Sequence, residues 1–487
     1  MIIRTRIAPS PTGLFHIGTA RAALFNYLFA KRYGGKFILR IEDTDRERSK
    51  PEFGKDIVEG LKWLGITPDE SSEEGGEFGP YRQSERVETY KTYLEKLLSD
   101  GKAFYCFHSE EELAAEQEHL IAERKQSLHQ CEYRKASLHE AEQIKKEKKS
   151  FIIRFKTPMN ATVAFRDMIR GDVSFETGCV GDFSIAKDVT IPLYNFAVAV
   201  DDELMKISHV IRGEDHISNT PKQLLLIEAL GFLRPQYAHL PLILGVDRSK
   251  LSKRHGATSL NEFREQGYVP EAMINFMAFL GWNPGDEREF FSLAELEKEF
   301  SLEKVQKAGA VFNQEKLDWF NAQYIKQKTV DELTQLCIPY LYAGIKNQEL
   351  GINTLDAEFL KKIIALEQPR LKKLSDIFES TEFFFACPEY GTTLLAWKDS
   401  SKEKTVHALE RAEALLLRIT DPLEKANLQD IFFAEIDKNF HGKGELLWPL
   451  RVALSGRNVS PSPFEIIEIL GREESLRRVK GALAKLK

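Results

Sequence analysis

Cysteine is scarce in this sequence: Cys106, Cys131, Cys179, Cys337 and Cys387 are all there is in 487 residues. So odd and scattered a set argues against a disulfide framework and for a reducing compartment. Long apolar runs are missing too. None reaches about 18 residues, the length that crosses a bilayer as a helix, so no membrane partner is expected. The opening MIIRTRIAPS holds neither a signal-peptide core nor an Arg- and Ser-rich transit helix, and the expected location is cytoplasmic. Basic excess is lacking as well, with a net charge of −6. That counts against a nucleic-acid partner at first sight. It does not decide the matter, because phosphate attraction is local and a patch of Lys and Arg can bind RNA on an acidic chain.

What is present fits a soluble globular protein: 43% hydrophobic and 29% charged residues. The length exceeds one ordinary core, so about two to four domains are expected. Residues 1–105 alternate strand and helix. Ile2, Ile3 and Ile7 suggest a strand, and Pro9 to Phe15 a turn. Ile17, Ala20, Leu24, Tyr27 and Leu28 recur at helical spacing, with Ala22, Ala23, Phe25 and Phe29 on the other side, so this helix should be largely buried. Gly34-Gly35 ends it, and Lys36 to Glu42 reads as a second, parallel strand. This is the start of an α/β, doubly wound parallel sheet.

Residues 106–190 break the rhythm and read as an inserted α+β domain. Ser109 with Glu112 makes a capping box, helix-prone Lys-rich sequence runs to Lys149, and Phe151 to Phe155 is strand-like. Strand and helix patterns resume over residues 191–245. From about Asn261 the pattern is mainly helical, with stops at Gly281, Pro369, Gly442 and Gly471. No internal repeat or low-complexity linker is visible.

Two short motifs carry chemistry. Pro9 to Thr19 lies between a strand and a helix N-terminus, where outward backbone N–H groups and the helix dipole favour an anion. His16 can donate to a phosphate there, and Gly18 lets a planar ring approach the backbone. Lys250-Leu251-Ser252-Lys253-Arg254 offers three cations that could clamp a triphosphate and stabilise a leaving pyrophosphate. Singly, the first could be an ordinary turn and the second a solvated basic loop.

Together, a His-Ile-Gly turn near the N-terminus and a Lys-x-Ser-Lys run across an inserted domain resemble the ATP motifs of class I aminoacyl-tRNA synthetases. Thr19 stands where the first motif usually ends in a second His. Arg40-Ile41-Glu42-Asp43-Thr44-Asp45, Tyr194-Asn195-Phe196-Ala197, His209 to His216, Asn219-Thr220-Pro221, Gly267 to Ala272 and Leu280-Gly281-Trp282 extend the likeness. The ordered set resembles bacterial glutamyl-tRNA synthetases, strongly through residue 285 and more loosely beyond. The resemblance implies a Rossmann-type catalytic domain over 1–105 and 191–245, a connective, acceptor-binding domain over 106–190, and a stem-contact domain over 246–322. It implies an all-α anticodon-binding domain over 323–487.

The implied activity uses ATP with Mg2+ to activate L-glutamate, then transfers it to tRNA(Glu). His16, Gly18, Thr19, Lys250, Ser252, Lys253 and Arg254 would serve the phosphates, and Glu214 and Asp215 the adenosine ribose. Arg6, Ser10, Glu42, Tyr194 and Arg212 would line the glutamate pocket. Two Arg forks suit carboxylates and Glu42 suits an ammonium group. Read without the family, Arg6 could be a surface strand residue, and Glu42 a partner of Arg40 or Arg46. Val198 stands four positions past Tyr194, where the family's pocket can include a polar residue, and is left out of the set. Glutamine-specific relatives resemble other forms of both the first motif and the second strand, so glutamate is favoured.

Some family members hold zinc in the inserted domain. Cys106, His108 and Cys131 are competent ligands, with Tyr133 in the fourth position and His129 as its substitute; the bland alternative is two ordinary thiols. Arg370, Lys372 and Lys373 mark the anticodon region, and a monomer is expected. A non-catalytic RNA-binding paralogue should have lost His16 or the Lys250–Arg254 run, and a nucleotidyltransferase should lack the helical tail. Whether tRNA(Gln) is also charged is not legible.

Overall fold

The computed structural model describes residues 2–45, 47–122, 128–147, 150–348, 356–419 and 423–487, without the side chains of Lys253 and Asn347. Arg46 and the end of the Lys-rich stretch at Lys149 therefore lie outside the described residues. The chain divides into two compact units, Met1–Arg264 with Pro270–Leu317, and Glu265–Val269 with Asp318–Lys487.

The strands of the first unit are β1 (Arg4–Ile7), β2 (Lys36–Leu39), β3 (Ala103–Cys106), β4 (Ile152–Phe155), β5 (Thr162–Asp167) and β6 (Gly171–Glu176). They continue with β7 (Phe183–Asp188), β8 (Ile191–Pro192), β9 (His209–Gly213), β10 (Gln236–Leu240), β11 (Ile243–Leu244) and β12 (Ala310–Val311). β1 and β2 pair in parallel, Arg6 opposite Ile38. β9, β10 and β5 form a second parallel run, with β6 antiparallel at its edge. β9 lies alongside β1, where Ser208 N–H donates to Arg4 C=O at 2.9 Å. β3, β4, β7 and β8 form a separate antiparallel sheet.

The helix Ile17–Arg32 crosses from β1 to β2 and is buried on nearly every side, as its two apolar faces require. Ala20, Ala23, Leu24, Phe25 and Leu28 are fully enclosed, and truncating Phe25 to Ala would cost about 3–5 kcal/mol. The helix ends at a left-handed Gly34 (φ +62). At Gly35 a Cβ would stand 2.2 Å from Ile3 C=O, so only glycine lets the chain turn into β2. β1 is shorter than the isoleucines suggest: Ile2 is 68% exposed and outside it. The regular part of β2 ends at Leu39, but its bonding toward β1 runs on in register, with Arg40 N–H donating to Ile7 C=O at 3.0 Å. Ile41 N–H goes to Tyr81 C=O, and Glu42 N–H to Pro9 C=O. The last of these bonds holds Glu42 beside the first motif.

The second unit is helical, with Val330–Asn347, Ala357–Glu367, Lys402–Arg418, Lys425–Asn439, Lys443–Ser455 and Pro463–Leu486 as its longer helices. Thr329 with Glu332, and Ser462 with Glu465, form reciprocal capping boxes. Leu409, Leu416, Leu450, Leu454 and Ile467 fill the core beneath the last four. The stop at Gly471 is a kink (φ +78) inside the last helix.

Candidate active site

A cleft of about 450 Å³ opens at the carboxyl ends of β1 and β9, where a doubly wound sheet places its ligands. Arg6, Ser10, His16, Gly18, Thr19, Glu42, Tyr194, Arg212, Asp215 and Lys250 all line it. The two motifs meet beside it. Thr258 C=O accepts Ile17 N–H at 2.8 Å, and Phe15 C=O accepts Leu260 N–H at 2.8 Å.

His16 caps the buried helix: its Nδ1 accepts Gly18 N–H at 3.0 Å. The neutral ring therefore carries its proton on Nε2, free to donate. Burial and then the positive charge of Lys250 hold its pKa below the usual value. Lys250 is mostly exposed, and its Nζ reaches Asp215 Oδ2 at 3.1 Å. Burial works against the Asp215 charge, but the hydrogen bond from Lys250 and its positive charge outweigh it and leave the carboxyl lowered. Ser252 N–H donates to His255 Nδ1 at 3.1 Å, and Arg254 Nη2 donates to Ser249 Oγ at 2.6 Å, so this loop is tied to itself. The Lys253 side chain lies outside the described residues. Glu214 is held by Arg170 and by Leu242 N–H (2.8 Å).

A buried charge network forms the floor. Arg6, 4% exposed, is no surface strand residue: Nε and Nη2 fork onto Asp202 at 3.2 and 3.3 Å. Arg40, wholly enclosed, donates to Asp202 Oδ1 at 2.7 Å and to Glu42 Oε1 at 2.9 Å. Of Glu42's two sequence-level alternatives, the Arg40 pair is thus present, yet the carboxylate still lines the cleft. Burial raises its pKa against the pull of Arg40. Asp202 goes the other way: burial is outweighed by Arg6 and Arg40, and its pKa is lowered. Val198 is buried and not part of the lining.

Sequence reasoning missed four participants. His216 lines the cleft and its Nδ1 lies 3.0 Å from Tyr194 Oη. Burial, then Arg212, push its pKa down to about 4, so the ring is neutral at neutral pH. His239, Thr220 and Asp167 stand behind Arg212. His216 and Thr220 fell inside quoted motifs and could have been singled out. Asp167 lay in the segment read as an insertion, and nothing in its spacing points to the cleft.

In the inserted segment, Cys106, His108, His129 and Cys131 converge, with one donor atom from each within 4.8 Å of all the others. Sγ–N separations are 3.5 Å (Cys106–His108), 3.6 Å (Cys106–His129) and 3.7 Å (Cys131–His108). A tetrahedral zinc with ordinary bond lengths sets such edges at about 3.5 Å. His129, which the sequence offered as the substitute for Tyr133, is the fourth donor atom that lies with the other three. The Tyr133 ring instead stands edge-on to Phe107 and His108, a wall of the site. His129 Nδ1 meets the Glu116 carboxylate, the outer partner a ligating imidazole usually has. In the second unit Arg370 pairs with Glu367 at 3.1 Å, Lys372 is exposed and Lys373 half-buried.

Residues 2–319 match the family described as tRNA synthetases class I (E and Q), catalytic domain, and residues 332–483 match the anticodon binding domain. The chain is 46% identical over 487 residues to "Glutamate--tRNA ligase 1" of Caldicellulosiruptor saccharolyticus, covering 99% of each. It is 44% identical over 487 residues to "Glutamate--tRNA ligase" of Carboxydothermus hydrogenoformans, covering 98% of this chain and 99% of that one. The crystal structure of a glutamate tRNA ligase from Elizabethkingia meningosepticum, in complex with its amino acid, is similar over 100% of both chains, with a TM-score of 0.88 and 36% identity. The cleft, its two motifs and likeness along the whole length lead to one assignment: this chain belongs to the glutamate–tRNA ligases of the class I tRNA synthetase family.

Proposed function

We propose that the cleft binds L-glutamate and ATP, forms glutamyl-adenylate with release of pyrophosphate, and passes glutamate to the 3′-terminal adenosine of tRNA(Glu). One observation carries this reading: two buried guanidinium groups, Arg6 and Arg212, share a cleft with Glu42, Tyr194 and the His16–Thr19 turn. Two cations suit the two carboxylates of glutamate, and Glu42 suits its ammonium group. The α-carboxylate attacks the α-phosphorus, and the bond to pyrophosphate breaks. His16 Nε2–H and Lys250 sit where charge grows on the phosphates, with Lys253 and Arg254 completing the loop by resemblance. Mg2+ accompanies ATP and neutralises phosphate charge. In the second step a ribose hydroxyl attacks the mixed anhydride and AMP leaves. Among the described residues no side chain in the cleft is an evident general base, so catalysis rests on positioning and electrostatics. Asp215 and Glu214 flank the ribose in this reading.

Cys106, His108, His129 and Cys131 would hold one zinc ion, which pins the segment after β3 and supplies structure rather than chemistry. The same reading takes the working enzyme as a cytoplasmic monomer, with Arg370, Lys372 and Lys373 on the anticodon side. Pyrophosphate exchange in the presence of tRNA(Glu) tests the cleft. Exchange should depend on glutamate, with glutamine poorer by about 10⁴-fold, because the amide leaves a buried guanidinium unmatched. Equal exchange with glutamine would refute the pocket.

A further inference from the structure

Arg212, on β9, is only 6% exposed and lines the cleft. Among the described residues its Nη1 is the one terminal guanidinium nitrogen that is buried with no hydrogen-bond partner. The rest of the group is held from behind. Nη2 donates to Thr220 Oγ1 at 2.9 Å, and Nε donates to His239 Nε2 at 3.3 Å. Tyr237 lies across the guanidinium at 5.6 Å. His239 sits on β10 in register with Arg212 and is wholly enclosed.

The direction of these hydrogen bonds is forced. Arginine has only donors, so His239 Nε2 must present a lone pair, and the ring proton must sit on Nδ1. Nδ1 lies 2.6 Å from Asp167 Oδ2. Asp167, on β5, is 2% exposed and spends its whole carboxylate on donors. Oδ2 also takes His239 N–H (3.0 Å), and Oδ1 takes Ile169 N–H (2.9 Å) and Arg170 N–H (2.8 Å). A carboxylate that accepts on both oxygens fixes the tautomer of the ring it faces.

We propose that Asp167, His239 and Thr220 are positioning residues for glutamate: Asp167 holds His239 as the Nδ1–H tautomer, and the bare Nε2, with Thr220 Oγ1, aims the free Nη1 of Arg212 into the cleft. This rests on the reading of Arg212 as a partner for a glutamate carboxylate. It adds a contribution from β5, a strand far from either motif in sequence, to the choice of amino acid.

Asp167→Asn tests it. The amide has one oxygen and one NH₂, and each end of Asp167 faces two N–H donors, so either orientation sets donor against donor. The Michaelis constants for glutamate and for ATP are measured in tRNA charging; neither changes merely because less enzyme is folded. The expected result is a glutamate KM raised about tenfold or more with the ATP KM within about twofold, since a misaimed carboxylate partner damages only the substrate it orients. Thr220→Val is nearly isosteric, leaves the buried Asp167–His239 pair alone, and carries the test should Asp167→Asn fail to accumulate. It should show the same split at about fivefold. An unchanged glutamate KM in either variant, or glutamate and ATP constants that rise together, overturns the proposal. Arg212→Lys is the control. If it too leaves the glutamate KM unchanged, the reading of Arg212 itself fails; if it alone raises that constant, Arg212 stands and the positioning relay falls.

Discussion

His16 does two jobs with two nitrogens. Nδ1 caps the buried helix and Nε2–H faces the cleft. Losing the cap should cost about 1 kcal/mol of stability. Losing the donor should cost far more in rate, about 10²-fold in charging for His16→Ala, because it acts where phosphate charge develops. Near-normal turnover with an unchanged circular dichroism spectrum would contradict that role. The buried imidazoles give a second prediction. His16, His209, His216 and His239 all have pKa values lowered from 6.5, each chiefly by burial, and that of His216 falls to about 4. Protons then bind the unfolded chain more readily than the folded one. This contribution to stability is full above pH 6.5 and is lost as pH falls through the window toward 4. Asp167, Asp202 and Asp215, with lowered pKa values, add a loss only below the carboxylate range. The thermal midpoint should therefore drop between pH 7.5 and pH 5.5, offset in part by His129, whose pKa is raised chiefly by its hydrogen bond with Cys106; a midpoint that rose as pH fell over that interval would count against four neutral buried imidazoles. At this scale Arg6, Glu42, Tyr194 and Arg212 were singled out by resemblance, and the structure brings them to one cleft. Arg40 was named as a partner for Glu42, but Asp202, which holds both Arg6 and Arg40, was not, because only packing reveals which charge faces which.

Elements were easier to read at their middles than at their ends. The helix Ile17–Arg32 was plain from two apolar faces, and its stop from Gly34-Gly35. The regular part of β2 ends at Leu39, yet Arg40 and Glu42 N–H still donate in register to Ile7 and Pro9 C=O, so the reach of Lys36 to Glu42 was legible from its apolar pattern. β5 and β6 arise in the segment read as an insertion, yet β5 pairs with β10, since parallel pairing across a long separation leaves no local pattern. The same limit governs the metal quartet. The two spaced pairs were visible in the sequence, but the choice between Tyr133 and its substitute His129 was not, and the donor atom that lies with those of Cys106, His108 and Cys131 belongs to His129. Purified protein should carry close to one zinc per chain, retained in Tyr133→Phe and lost in Cys106→Ser and His129→Ala. Zinc retained in His129→Ala but lost in Tyr133→Phe would restore the sequence-level ligand set, and metal-free protein would leave two ordinary thiols.

At the scale of the whole molecule, an acidic chain must hold a polyanion through local cations. Lys372 is exposed and Lys373 half-buried, whereas Arg370 is partly neutralised by Glu367. Replacing both lysines with alanine should weaken tRNA binding and flatten its salt dependence, by about 0.7 in the slope of log K on log salt per lost single-strand phosphate contact. Glutamate KM should stay unchanged. An unaltered slope would move the RNA surface elsewhere. The family itself was legible from the order and spacing of its motifs along the chain, and the family model and full-length relatives agree. The central claim is tested most directly by incubating the protein with ATP, labelled glutamate and, separately, tRNA(Glu) and tRNA(Gln). The account predicts label esterified to the 3′ adenosine of tRNA(Glu), dependent on ATP and lost in Arg212→Ala; charging of tRNA(Gln) in addition would widen the substrate range without disturbing the mechanism. No glutamate on tRNA(Glu), from folded protein with ATP present, would contradict it.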